Sequence, residues 1–506
     1  MGTLLLPALL REPLSGVAAE AAAQQGTPRR APLIQTHLQA LAGRVMQTGG
    51  WVSGARSADA EPLWTGRSRP YDESTLRKAT RRLARQGGVD VVARAVEVNV
   101  EEAVKRSGAK AVAYTDMFDQ VNWTKKPAHA APIGNRGNRI LGATYFGMTF
   151  VRPKNGPALG YHVSWHKPAS PLQDGLEALY DTPRRGTWLR ENIRQHVWDR
   201  GGCGRPTLRW ALERRIPYLT VDKKRAQWRR FQRPPRLYTR QGVPVFVRPD
   251  RTVSTGAPKD ARPEEVIFPA HPRKGRASGK ALRYRTGTPL ANAELRELDR
   301  VYKTRWPSNE NPIKALVAVG FDRNLDRGIT LMTSRGTDGR LARVEARQQE
   351  LDKGIEALKP TTIPELIRRA RPLARRRSAI EEEREKIAVI PIDKGARMPT
   401  GAELLCKNLT LLIYNVLALL LMRSPLEQVR AMTPWRVQEL LLSRPFVASV
   451  GKHETTLWID PLPTPSERTL QQELVRLMNQ QPLSLRGRAL HLRIRDPSAK
   501  TGPLRI

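Results

Sequence analysis

Three acids stand where carboxylates could act together: Asp116 in YTDMFDQVNWTKKP, Asp199 in VWDRGGCGRPTLRW and Glu310 in YKTRWPSNENPIK. Asp116 closes the apolar run KAVAYTD and Asp199 closes HVWD, so each reads as the tip of a strand. Glu310 lies between Asn309 and Asn311, at the start of a stretch whose Ile313, Leu316, Val317 and Val319 recur with helical period. Carboxylate oxygens are hard ligands that suit Mg²⁺, with Mn²⁺ as a substitute. Two such ions about 3.5–4 Å apart stabilise both the attacking and the leaving oxygen of an in-line displacement at phosphorus. Tyr302, Arg305 and Lys314 recur around Glu310 at roughly helical steps, which would let them hold a DNA backbone beside the scissile phosphate. On this reading metal ions, and not the protein's own arginines, are the partners of Glu310. The plain alternative is a first-turn acid stabilised by the helix dipole. Asp119, three residues beyond Asp116, and Asp222, after IPYLTV, are rival ligands.

Elements must bring these acids together. From Lys110 the chain shows KAVAYTDMF, RILGATYFGMTFVR and LGYHVSWH, separated by Gly, Pro and Asn turns, as in consecutive antiparallel strands. A helical stretch LQDGLEALYDTPRRGTWLRENIRQ, a strand ending in HVWD, a helix TLRWALERR and a fifth strand IPYLTVDKK follow. Three strands, helix, strand, helix, strand is the order of a ribonuclease-H-like fold. In that fold the tips of the first and fourth strands adjoin, and a third acid can arrive on a helix packed across the sheet. The expected class is therefore α/β, with a ribonuclease-H-like mixed sheet over residues 101–330 and a basic β-rich insertion at about 223–290. It is flanked by a helical region at 1–100, a charged helical hairpin at 331–390, a core helix within 391–430 and a small α+β region at 431–506. In the first region DESTLRKATRRLARQ begins with acids and carries Arg77, Lys78, Arg81, Arg82 and Arg85. This face is a candidate DNA contact or simply a solvated basic surface. The tail VASVGKHETTLWID, RTLQQELVRLMNQQP, RGRALHLRIRD reads as strand, helix, strand.

The chain holds 87 Lys and Arg against 48 Asp and Glu, a net charge of +39, which points to a polyanionic partner and first to nucleic acid. Two cysteines, Cys203 and Cys406, supply neither a disulfide framework nor a zinc spacing and fit a reducing compartment. His162 and His166 have helical i, i+4 spacing but no third ligand nearby. The N-terminal MGTLLLPALLREPL lacks a basic segment before its apolar run, so it reads as a helix and not a signal peptide. LTLLIYNVLALLLM, residues 409–422, reads as a buried core helix too short to span a membrane. No phosphate-binding Gly loop is visible.

The three acidic blocks together resemble the DDE transposases of bacterial insertion sequences. Asp116, Asp199 and Glu310 match the first, second and third acid of that family, over about residues 100 to 330. Tyr302 and Arg305 keep the family's places. Four residues instead of three separate Arg305 from Glu310, and the later lysine can only be Lys314, earlier than usual. The resemblance implies metal-dependent cleavage at terminal inverted repeats, transfer of the freed 3′-OH to target DNA, and a homodimer on paired ends. It also implies a bacterial cytoplasmic, nucleoid-associated setting, with no membrane partner. A non-catalytic DNA-binding relative and a metal-dependent nuclease without strand transfer are the competing readings.

Overall fold

In this computed structural model the described residues are 2–45, 61–65, 67, 69–123, 141–166, 170–221, 236–240, 243–249, 264–269, 281–287, 300–318, 321, 335–357, 363–388 and 400–495. The chain is α/β, and its largest element is a mixed sheet of nine strands. These are β1 (Ala111–Trp123), β2 (Leu141–Arg152), β3 (Leu159–His166), β4 (Ile193–Trp198), β5 (Tyr218–Val221), β6 (Arg236–Arg240), β7 (Val243–Pro249), β8 (Glu264–Pro269) and β9 (Ala281–Thr286). They lie in the order β3-β2-β1-β4-β5-β9-β8-β7-β6. β1, β2 and β3 form an antiparallel meander, whereas β4 runs parallel to β1 and β5 parallel to β4. Parallel neighbours need a crossover. Between β3 and β4 the helices Leu172–Tyr180 and Pro183–Asn192 supply it, and between β4 and β5 the helix Arg205–Glu213 does.

Strand β5 is buried at every position and β4 at four of its six, as expected for central strands covered on both faces. The insertion does more than loop out. β9 pairs antiparallel with β5, Leu219 facing Thr286, and β8, β7 and β6 continue the same sheet. Left as an edge, β5 would expose a row of unpaired backbone groups; β9 covers them.

The opposite edge is closed differently. The helix Gly401–Leu421 packs on β3 and on the helix Val89–Arg106, and its wholly buried Asn415 acts as a substitute strand. Asn415 Oδ1 accepts from the Gly160 N–H at 2.7 Å while its Nδ2 donates to the Gly160 carbonyl at 2.8 Å. The approach is close, and a Cβ there would stand 2.6 Å from Leu411 Cδ2, so that side chain would have to shift. This helix is longer than the apolar run suggests. With 21 residues it is long and apolar enough to cross a membrane, yet 83% of its most apolar window is buried inside the fold. Burial, and not shortness, makes it a core helix.

The N-terminal helices Gly2–Leu9 and Arg11–Gln24 bury Leu5, Leu6 and Leu14 in the main core, together with Leu10 between them. The helices Arg335–Glu356 and Ile363–Ala388 form a hairpin with its own small core of Val344, Leu351 and Ile380. Pro364 lies in the first turn of the second, where its missing N–H costs nothing. At the C-terminal end a second sheet has the order β10-β11-β13-β12, from β10 (Phe446–Val450), β11 (Glu454–Ile459), β12 (Ser484–Leu485) and β13 (Arg488–Ile494). VASVGKHETTLWID is thus two strands, turning at Gly451–His453.

Candidate active site

The last pair in the parallel ladder between β1 and β4 is Thr115 with Trp198. Asp116 and Asp199 are the next residue on each strand, so they leave the ladder side by side. β1 itself does not end there. It continues to Trp123 against β2, and what stops at Asp116 is only the pairing with β4. A buried polar chain supports this point from below. Thr115 Oγ1 lies 2.7 Å from Thr149 Oγ1 and 2.7 Å from His196 Nε2, and His196 Nδ1 lies 2.8 Å from the Tyr180 hydroxyl. Burial pushes His196 down to about 3, so the ring is neutral and links its two hydroxyl partners without adding charge. Sequence reading overlooked this histidine. Its signal was a polar residue next to the apolar pair that ends β4, HVW.

Glu310 arrives on a helical segment that crosses β1. The Tyr114 hydroxyl is 2.8 Å from Thr304 Oγ1, and Arg152 Nη1 donates to Ser308 Oγ at 3.2 Å. Between Trp306 and Glu310 the helix widens into a π turn, in which the Asn311 N–H bonds the Trp306 carbonyl five residues back. In a regular α-helix, residues five apart diverge by about 140° around the axis at 3.6 residues per turn. The wider turn removes that divergence. Arg305 Nη2 and Glu310 Oε1 therefore meet at 2.6 Å.

Arg305 also reaches the other two acids. Its Nη1 is 3.5 Å from Asp116 Oδ2 and its Nη2 is 3.8 Å from Asp199 Oδ1. One nearly buried guanidinium thus gathers three carboxylates that are scattered over the sequence. This corrects the expectation that Glu310 has no arginine partner. With all three acids ionised, Arg305 leaves the cluster at net −2, inside a chain of net +39. Burial foremost pushes the Asp116 carboxyl up to about 6, with Asp199 and Glu310 adding to the rise and Arg305 opposing it.

Among the described residues no three His, Cys, Asp or Glu side chains stand together at metal-ligand spacing. The guanidinium occupies the space between them. The donor set nevertheless fits divalent cations: three hard carboxylates, all partly accessible, that keep excess negative charge even with an arginine in their midst.

No protein-family model matches this chain, and no curated protein is found to be similar to it.

The remaining predicted residues divide. Tyr302 lies under the Arg305 guanidinium, 5.7 Å from ring centroid to Cζ, and so braces the cation from below. Lys314 is exposed and sits 5.1 Å over the ring of Trp306, itself 54% exposed. On the helix Glu73–Leu83, Arg77 and Arg81 are half-buried, and Arg77 is paired with Glu73 at 2.5 Å. Lys78 is exposed, as are Arg82 and Arg85, one and two turns further on. The outward basic stripe is therefore Lys78, Arg82 and Arg85. Asp119 faces Tyr145 along the β1 extension, and Asp222 falls outside the described residues. His162 and His166 lie on strand β3, which removes the helical spacing that would pair them. Of the glycines after Asp199, Gly201 has open space where a Cβ would go. Gly202 instead makes room for the Trp198 ring, 2.6 Å from such a Cβ.

Proposed function

We propose that this chain is a DDE transposase: a metal-dependent enzyme on a ribonuclease-H-like domain that cuts DNA at the ends of a mobile element and joins them to a target. The observation that carries the reading is the meeting of Asp116, Asp199 and Glu310 around Arg305 at the point where β1 and β4 stop pairing. The order β3-β2-β1-β4-β5, with β2 alone antiparallel to its two neighbours β1 and β3 and the rest of that set parallel, supports the domain assignment.

Asp116, Asp199 and Glu310 would hold two Mg²⁺ or Mn²⁺ ions, which when bound make water nucleophilic and neutralise charge developing on phosphate oxygens. In the first displacement a water oxygen bonds to phosphorus, the P–O3′ bond breaks, and a 3′-hydroxyl is released. In the second, that 3′ oxygen bonds to a target phosphorus and displaces a target 3′ oxygen. The paired strands β1 and β4 orient Asp116 and Asp199 where their ladder stops, and the π turn orients Glu310. Arg305 is placed to donate to the scissile phosphate once cations replace it among the carboxylates, with Tyr302 limiting where its guanidinium can go. Lys314 and the exposed stripe Lys78, Arg82 and Arg85 are placed to touch backbone phosphates. Joining two ends in one event calls for a homodimer on paired terminal repeats.

Purified protein with Mg²⁺, a labelled donor end and a target plasmid tests the reading. The expected result is a joined product, absent from Asp116→Asn, Asp199→Asn and Glu310→Gln, each retaining DNA near the wild-type level. Cleavage without joining would make the protein a nuclease, and retention alone a binding protein. Wild-type cleavage by any one variant would remove that residue from the site.

A further inference from the structure

A second, strongly basic cavity lies at the other end of β1. It measures about 430 Å³ and is lined by Lys110 just before β1 and Tyr114 within it, Arg152 at the end of β2 and Lys154 in the turn after it, Arg194 from β4 and Arg300 from the helical segment leading to Glu310. Five of the lining residues are Lys or Arg and none is Asp or Glu. We propose that this cavity is a phosphate-binding site that holds DNA backbone away from the reacting phosphate.

Charge is the first argument. Five cations converging on one cleft repel each other, and a cleft lined by one sign of charge concentrates counter-ions. Phosphate oxygens are the acceptors that guanidinium and ammonium donors match best. The second argument is geometry. Val112 lies on the cavity and Asp116 four residues further along β1, about 13 Å away at ~3.3 Å per residue. The segment that lines the cavity with Val301 and Thr304 goes on to carry Arg305 and Glu310 to the acids. A phosphate in the cavity thus lies away from the reacting one, at the other end of the same segment.

The third argument is rigidity. Arg152 is fixed by Gly156 O at 3.3 Å and Ser308 Oγ at 3.2 Å, and the Tyr114 hydroxyl by Thr304. The turn presenting Lys154 is closed by a Gly156 N–H to Pro153 carbonyl bond of 3.1 Å, with Asn155 in the left-handed region at φ 57°. Lys110 and Lys154 are exposed.

The inference rests on the DNA-binding part of the proposed function and not on its chemistry, so the test is done in EDTA. Full-length wild type and Lys110→Gln/Lys154→Gln are titrated with a duplex over a range of salt, with Lys110→Arg/Lys154→Arg as the charge-retaining control. The glutamine pair should bind about tenfold more weakly near 50 mM salt. Its slope of log affinity against log salt should be shallower by about 1.8, at ~0.9 for each phosphate that is no longer neutralised. The arginine pair should restore both. Inorganic tripolyphosphate is the second probe, read by thermal shift. A shift that depends on the two lysines while DNA affinity and slope stay at wild type would overturn the DNA assignment in favour of a free polyphosphate. Unchanged DNA binding with no tripolyphosphate shift would overturn the site altogether. Loss of joining by Asp116→Asn bears on the proposed chemistry alone, so the two readings fail separately.

Discussion

Asp116 shows most directly what the fold imposes on a single side chain. Its carboxyl is held at about 6 against an ordinary 3.8, by burial first and then by its acidic neighbours. A raised carboxyl pKa means that the folded protein binds a proton the unfolded chain has already lost. The stabilising contribution is complete below about pH 4 and is lost as pH rises through about 6. At neutral pH the ionised group therefore costs stability. A shift of this size corresponds to about 3 kcal/mol at most, reduced to about 1–2 kcal/mol because a quarter of the side chain is open to solvent. Asp116→Asn should accordingly raise the melting temperature of metal-free protein at pH 7.5 and leave it unchanged at pH 4. Added Mg²⁺ should stabilise the wild type and not the variant. Thermal melts at the two pH values in EDTA and in Mg²⁺ check this; equal melting of the two proteins at pH 7.5 in EDTA would contradict it.

Among the elements, the π turn at Trp306–Glu310 explains why Glu310 lies one residue later than a regular helix would need. It amounts to a single-residue insertion into an α-helix, and it returns Glu310 to the Arg305 face. Deleting Pro307 should convert the turn to regular α-helix with Arg305 and the glutamate at i, i+4, still on one face. Cleavage should survive within about tenfold. Inserting one alanine after Pro307 should instead carry the glutamate off by about 100° and abolish cleavage. The measured quantity is single-turnover cleavage of a donor end, with circular dichroism confirming the fold of both variants. Complete loss on deletion combined with activity on insertion would refute the register argument.

At the scale of the whole molecule, the same charge that makes the protein cationic is unevenly distributed. The acids of the candidate site sit at one end of the central ladder and the basic cavity at the other, while Lys78 and Arg82 of the helix Glu73–Leu83 and Arg85 just after it are exposed. If these surfaces track DNA, log affinity should fall linearly with log salt, at a slope of about −0.9 per phosphate contacted. Replacing Lys78, Arg82 and Arg85 together by glutamine should make the slope shallower by up to about 2.7 by the same rule. Arg77→Gln should change stability more than salt response, because Arg77 is engaged with Glu73. Fluorescence anisotropy on a duplex in EDTA separates these effects, and a nearly flat wild-type response would assign the charge to another purpose.

Much of this was legible locally. Alternation and turn residues located β1 to β5 and the helices between them, because strand and helix periods depend on neighbours along the chain. Charge composition is additive and needs no fold. The three acids could be picked out because each ends or begins an apolar run. The partner of Glu310 was not legible, since the approach of Arg305 to two acids from distant strands depends on how a helical segment crosses the sheet. The π turn left one mark, the extra residue between Arg305 and Glu310, but the residue types do not say that a wider turn absorbs it. The extension of the sheet by β9, the seating of Asn415 on Gly160 and the convergence of cations from four elements in one cavity are likewise long-range pairings. Sequence determined which segments would be strands, helices and charged surfaces; tertiary structure decided which of them met, because contact between residues hundreds of positions apart is fixed by packing and not by local propensity.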